Sequence, residues 1–322
     1  MTRYLLRRLG HGLLIIFGVS LLLFILQQAA PGDFLSDMKL NGQISEDTAK
    51  VLRAQYGVDQ PLPRRYGRWM LSVAKGELGY SFAYNVSASS LLAPRVLNTL
   101  LLSVPALAIT WIIAVPLGVV ASAWRGRWLD RFFSAGTSLA LAMPDLLLAL
   151  LAILIALRTH RYPVGGMHSV GAQDWGWFAR MKDLGWHMVL PVAVVVIGSV
   201  SPILRQVRSS MIAVLDSSYM RAAEGHGLRK WTLLFRHALP AAANPLISLF
   251  GLSVAMLLSV TLLVEVVMSW PGIGPLLLES ILSRDLFVVI GAVMLSTLLL
   301  VIGNLIADVL LYAVDPRIRV QA

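Results

Sequence analysis

The chain has 322 residues, 57% of them hydrophobic and only 14% charged, with a mean hydropathy of +0.74. An ordinary soluble domain carries about a quarter charged residues, so this composition is that of an integral membrane protein. A formal charge of +10 raises the question of nucleic acid, but the basic residues gather at the ends of apolar segments, with no basic face interleaved with aromatics, and nucleic acid is excluded. Cysteine is absent, which removes disulfides, zinc–thiolate sites and thiol nucleophiles.

Arg3, Arg7 and Arg8 precede a first apolar run at 13–26. A cleaved signal peptide is a poor reading, because cleavage after Ala30 would put the bulky Gln28 at the −3 position. With its flanks the run reaches the roughly 20 residues that cross a bilayer, so 1–30 is expected to be a retained transmembrane helix with its N-terminus inside. Residues 31–95 are more polar and are expected to form an extracytoplasmic subdomain that caps the helices. Within it, Ser45-Glu46-Asp47 ahead of Thr48 to Leu52 predicts a capped short helix. Turns are predicted at 57–62 and 76–81, with an amphipathic helix at 64–75.

Five further apolar segments follow, at 96–123, 132–157, 188–204, 247–268 and 287–314. Together with the first, they predict an all-helical membrane protein of about six spans, with a core at 96–322. Three of them are interrupted by proline: Pro105 and Pro116, Pro144, and Pro191 and Pro202. Proline inside a span is tolerated where neighbouring helices or cavity water rescue the freed carbonyls. These interruptions are consistent with a gated pathway or with simple packing kinks. With the N-terminus inside, the excess of Arg and Lys falls on the segments that would face the cytoplasm (Arg3, Arg7 and Arg8, then Arg125 to Arg131, Arg205 to Arg236, and Arg317 with Arg319), and both termini are then cytoplasmic.

The stretch Tyr219 to Pro240 is a basic island between two long apolar segments. Ala222 and Ala223 offer a helix face low enough for another protein's backbone to approach. Gly227 suits the left-handed conformation that ends such a helix, and Pro240 suits the first turn of the next. The local expectation is helix, glycine turn, second helix. The spacing resembles the EAA loop of ATP-binding-cassette (ABC) importer permeases, with Ala222, Ala223, Gly227, Leu239 and Pro240 in register, Arg221 in place of the pattern's Glu and His237 in place of its Ile. The resemblance implies that the loop at 216–240 docks on an ATPase subunit. Tyr219, Arg221, Ala222, Ala223, Glu224, Gly227 and Leu228 would be the coupling residues.

Further landmarks follow in the order seen in the peptide and nickel importer permeases of the dipeptide/oligopeptide type. They include Arg7-Arg8-Leu9-Gly10, Pro31-Gly32-Asp33, Gly57-Val58-Asp59-Gln60-Pro61-Leu62, Gly76-Glu77-Leu78-Gly79, Asn98-Thr99-Leu100 and Met143-Pro144. Leu190-Pro191, Arg208-Ser209-Ser210-Met211, Trp270-Pro271-Gly272, Arg284-Asp285, Asn304, Asp308 and Asp315-Pro316-Arg317 continue the series. This resemblance implies the type I ABC importer (MetI-like) permease core in a bacterial inner membrane, surrounded by lipid. The implied partners are a second homologous permease subunit, two ABC ATPase subunits and an extracytoplasmic solute-binding protein. No G-x-x-x-x-G-K-[ST] phosphate loop is present, so ATP and Mg would be bound by the ATPase partners and no cofactor is expected in this chain, which is not itself an enzyme. Short peptides are the leading substrate class, with nickel chelates and glutathione as alternatives.

Asp145 stands in the middle of the third apolar segment, directly after Pro144. A carboxylate at bilayer depth costs about 2.5–3.5 kcal/mol on insertion scales, so it should face water, a partner or a cavity. Two readings stay open for it: a translocation path favouring a cationic group, lined also by Met143, Pro144 and Glu265, or a cap on the helix that restarts after Pro144. Asn304 and Asp308, one turn apart, are expected to bind neighbouring helices. No histidine was expected to stand in metal-ligand spacing with a carboxylate, so no metal site is expected. A secondary transporter would show inverted repeats with ion ligands, and a membrane enzyme an acid/base or nucleophile constellation; neither pattern is visible.

Overall fold

The computed structural model describes residues 2–29, 34, 38–39, 45–56 and 60–314. The landmarks Pro31-Gly32-Asp33, Gly57-Val58-Asp59 and Asp315-Pro316-Arg317 lie outside these described residues. The chain divides into two units, one of residues 8–99 and 271–299, the other of residues 1–7, 100–270 and 300–322.

In the first unit, α1 (Thr2–Ala29) is an unbroken aliphatic helix. Helix α2 (Glu46–Tyr56) starts as its sequence predicts: Ser45 Oγ accepts the Thr48 N–H at 3.1 Å, and Glu46 and Asp47 meet the positive end of the helix. Lys39 beside Glu46 holds that carboxyl below its ordinary range. Pro61, whose ring fixes φ at −54°, leads into α3 (Leu62–Val73). The apolar face of α3 explains its aromatics. Phe24 and Tyr66 meet edge-on at 5.2 Å, Phe24 and Trp69 lie 5.0 Å apart, and Ile290 and Met294 complete this core. Each polar tip finds a partner, Tyr66 Oη at 2.8 Å from Ser20 Oγ and Trp69 Nε1 donating to the Leu78 carbonyl at 3.0 Å.

The predicted glycine turn leads into a short hairpin, β1 (Tyr80–Ser81) antiparallel to β2 (Val86–Ser87). Gly79 sits at φ +116°, and a Cβ there would lie 2.6 Å from the Phe287 ring, so both backbone and space demand glycine. Ser81 Oγ and the Ala83 N–H donate to Asp285 Oδ2 at 2.5 and 3.1 Å, which places a fully buried carboxylate under the hairpin.

The second unit carries most of the membrane helices. These are α4 (Ala88–Ala123, from Leu100 on), α5 (Trp128–Ala142), α6 (Asp145–Thr159), α7 (Trp177–Leu215) and, after the loop at 216–240, a further helix treated below. Among the described residues five helices are long and apolar enough to span a bilayer, and α5 with α6 makes a sixth as a bent pair. The third segment is therefore not one kinked helix: it stops at Ala142 and restarts at Asp145 after a 95° bend. Pro144 lacks an N–H and pushes Met143 out of the helical region to φ −90°, ψ 120°, so the hydrogen-bond ladder cannot cross.

Pro191 and Pro202, by contrast, lie inside the single 39-residue α7. That helix is longer than the 188–204 run foretold; at 1.5 Å per residue it is about 58 Å long, and only its middle third is uniformly apolar. It packs against α5, α6 and the helix after the loop at 216–240, with Ala106, Ala149, Val195, Leu257 and Trp270 among the side chains in the core. Towards its C-terminal end Arg208 grips Asp130 of α5 with Nε and Nη2, at 2.5 and 2.8 Å, while the Gly126 N–H adds a third bond at 2.8 Å.

Asp130 is only 5% exposed, so Asp130→Ala should leave the Arg208 charge facing a desolvated gap. A loss of about 2–3 kcal/mol is expected, read as a lowered thermal midpoint of the purified protein. Asp285 yields a second test. Burial pushes its carboxyl above the ordinary value of 3.8, so the fold prefers the protonated form. Stability is then fully present below that ordinary value and is lost as pH rises through the raised one. Asp285→Asn should flatten this part of the curve of thermal midpoint against pH; identical slopes in variant and parent would refute the account.

Candidate functional site

The loop between α7 and the next span folds as a helical hairpin. Helix α8 (Ser218–Gly225) ends where the His226 and Gly227 N–H groups bond back to the Ala222 and Glu224 carbonyls at 3.2 and 3.0 Å. Gly227 sits at φ +74° with open space where a Cβ would be, so the requirement for glycine is conformational, as expected for this turn. The return limb is α9 (Lys230–Thr232), a π-helical turn (Leu233–Ala238) and α10 (Leu239–Ala241), which lead into α11 (Ala243–Val267). The ladder widens immediately ahead of Pro240, whose missing N–H breaks the ordinary pattern.

The two faces of α8 are sharply unequal. Met220 is buried and Ala223 half-buried against Val207, Met211, Leu233 and Leu234. Tyr219, Arg221, Ala222, Glu224, Gly227 and Leu228 are exposed. The alanine pair thus divides its work: Ala222 faces outward, whereas Ala223 lets the hairpin lie close to the helices beneath it.

The hairpin is fastened at both limbs. Arg125 Nη1 meets Asp216 Oδ2 at 2.9 Å. Lys230 Nζ donates to the Ala123 carbonyl at 3.0 Å, at the negative end of α4, and lies 3.9 Å from the centre of the Trp124 ring. Trp231 continues the stack, 5.7 Å from Trp124 and 5.8 Å from Phe235.

The other foreseen residues do not form one cluster. Asp145 is the first residue of α6, with no side-chain hydrogen bond capping that helix, so its charge serves the helix only through the dipole. Its Oδ1 occupies the space where a Cβ on Gly198 of α7 would be, 2.5 Å from that position. Met143 packs on the apolar core and Pro144 is exposed at the break. Glu265 lies in the last turn of α11, fully buried, where its carbonyl accepts the Trp270 N–H at 2.9 Å. Asn304 fits against Gly251 of α11, in keeping with its expected role between helices.

One cluster contradicts the histidine reading. Asp183 and His187 stand four residues apart on α7, a spacing that was open to inspection, and His168 joins them from the preceding loop. Asp183 also accepts the Ser169 N–H and hydroxyl at 2.9 and 2.6 Å, so the group is a latch for the loop. Among the described residues no cluster of His, Asp and Glu is arranged to hold a metal ion.

Residues 1–103 match the N-terminal family of binding-protein-dependent transport system membrane components, and residues 114–320 match the binding-protein-dependent transport system inner membrane component family. The chain belongs to this family. It is 35% identical to a putative peptide permease protein of Brucella suis, over 99% of this chain and 100% of that one. It is 30% identical to the oligopeptide transport system permease protein AppB of Bacillus subtilis, with 99% and 100% covered, and 31% identical to the dipeptide transport system permease protein DppB of Escherichia coli, with 99% of each covered. The fold resembles that of the inward-facing MetNI methionine ABC transporter, with a TM-score of 0.57 and 17% identity over 70% of this chain and 96% of that one. The protein is thus a multi-pass permease of the inner membrane with the MetI-like fold.

Trp124→Ala should remove both the ring under Lys230 and the platform for Trp231. About 1–2 kcal/mol of anchoring is lost, and trypsin should then cut faster at Arg229, Lys230 and Arg236 than in the parent protein.

Proposed function

We propose that this permease subunit works in an ATP-driven importer of short peptides, fed by an extracytoplasmic solute-binding protein. The observation that carries the reading is the α8 hairpin, a stiff, two-point-anchored element whose exposed face is free to meet a partner. Tyr219, Arg221, Ala222, Ala223, Glu224, Gly227 and Leu228 form the contact with an ABC ATPase subunit. A second homologous permease and a second ATPase complete the assembly, and ATP and Mg are held by the ATPase subunits. Both termini and the hairpin face the cytoplasm, and residues 31–95 face outward. The peptide character of the cargo is supported by the relatives named above, peptide permeases that match this chain over nearly its whole length.

The mechanical logic follows from the anchors. Closure of the ATPases on ATP moves the hairpin, and the hairpin is continuous with α7 on one side and α11 on the other. Helix α7 packs along α5, α6 and α11, so a displacement at the hairpin reaches the bend at Met143-Pro144 and the carboxylate of Asp145. Met143, Pro144, Asp145 and Glu265 are assigned to the path along which the solute passes.

Vesicles containing the complete transporter test this. Gly227→Val forces a β-branched residue into a left-handed turn, at a cost of about 1–2 kcal/mol, and should cut peptide uptake at least tenfold while ATP hydrolysis persists. Uptake by vesicles holding this chain alone, or labelling of the hairpin from outside the cell, would overturn the proposal.

A further inference from the structure

A cavity of about 500 Å³ opens between α5 and α7, walled by Ser134, Thr137 and Ser138 on one side and Arg205, Gln206 and Ser209 on the other. Hydroxyls facing a guanidinium make a polar cavity, one suited to water or a polar ligand. The two arginines that border the cavity differ. Arg208 is committed to Asp130, whereas no described carboxylate pairs with Arg205. Thr137 Oγ1 already donates to the Ser134 carbonyl at 3.0 Å, so the cavity offers an anion one cationic group and the hydroxyls of Ser134, Ser138 and Ser209.

The same face of α7 carries the opposite polarity two turns earlier. Gly198 receives the Asp145 carboxylate, as described above. Four residues on stands Pro202, which has no N–H to give the Gly198 carbonyl. A carboxylate and a carbonyl oxygen lacking its usual donor thus occur at one residue without a side chain, the chemistry that receives an ammonium group. Gly198, Pro202 and Arg205 follow one another at i, i+4 and i+7, so they share a face of the helix. At 1.5 Å per residue, Gly198 and Arg205 are about 10 Å apart along its axis. An extended peptide covers at most ~3.3–3.6 Å per residue, so about three residues fill that span.

We infer that this face of α7 is a dipolar cradle for short zwitterionic peptides. Asp145 and the Gly198 carbonyl take the free amino terminus, while Arg205 and the hydroxyls of the α5–α7 cavity take the free carboxylate. The inference rests on the peptide-import reading and deepens it, since it names both termini as recognised groups and favours tripeptides. It also accounts for Gly198: any side chain there would displace the carboxylate that forms the upper end of the cradle.

Two measurements on the complete transporter test the cradle. In vesicles, Arg205→Gln and Asp145→Asn should each lower trialanine uptake about tenfold, the loss expected when one charge-assisted contact is removed. Arg205→Lys should keep more than half of the uptake, and Arg131→Gln, on an exposed position of α5, all of it. The second measurement uses the absence of cysteine. Ser138→Cys places the chain's single thiol in the cavity, and trialanine should slow its labelling by a water-soluble maleimide at least threefold, whereas trialanine amide should not. Uptake unchanged in Arg205→Gln, or equal protection by acid and amide, overturns the cradle and leaves the import reading standing. Absence of ATP-dependent trialanine uptake by the parent transporter would instead sink the import reading itself.

Discussion

The grip of Arg208 on Asp130 sets the half of the larger unit nearest the hairpin. A bidentate guanidinium–carboxylate pair tolerates little sliding, so it fixes the register of α5 against α7. Because Asp130 also takes the Gly126 N–H, the turn leading into α5 is tied to the same point. One residue further back, Arg125 reaches Asp216 at the foot of α7, and Lys230 closes on the end of α4. The C-terminal ends of α4 and α7, the start of α5 and both limbs of the hairpin thereby form one polar network. Such a network fastens the hairpin firmly to the helices instead of leaving it a loose loop.

Backbone satisfaction in a bilayer explains why the prolines behave so differently. Pro191 and Pro202 lie within α7, which packs against α5, α6 and α11, and the helix continues through them. Pro144 ends one helix and begins another. Met143 turns extended, the Leu147 and Leu148 N–H groups bond to the Pro144 carbonyl, and the chain bends by 95°. That bend is what aims Asp145 at Gly198, since a straight helix would have carried the carboxylate on past α7. The break in the third segment thus sets a carboxylate against the glycine of a neighbouring helix.

The smaller unit depends on a buried carboxylate of another kind. Asp285 collects the Ser81 hydroxyl and the Ala83 N–H beneath a two-residue hairpin, and aromatic packing of Phe24, Tyr66 and Trp69 holds α3 nearby. These contacts join residues some two hundred positions apart. They tie the hairpin and α3 into one packed body.

The amino-acid sequence by itself determined the class of protein, the number of spans and the form of the hairpin, because these depend on local properties. Mean hydropathy sets membrane residence, charge bias marks the short loops, and Gly227 with Pro240 dictates the turn and the disturbed helix that follows. The Ser45 cap was legible for the same reason. Tertiary structure alone decided that Ala223 faces in and Ala222 out, that Asp285 lies under Ser81, and that Arg208 rather than Arg205 is neutralised. The Asp183–His187 pair was visible in the spacing, but its meaning needed His168 and Ser169, brought in from a separate loop. Periodicity reports which residues share a face of one helix; only packing reports what that face meets, and charged side chains at bilayer depth take their roles from what they meet.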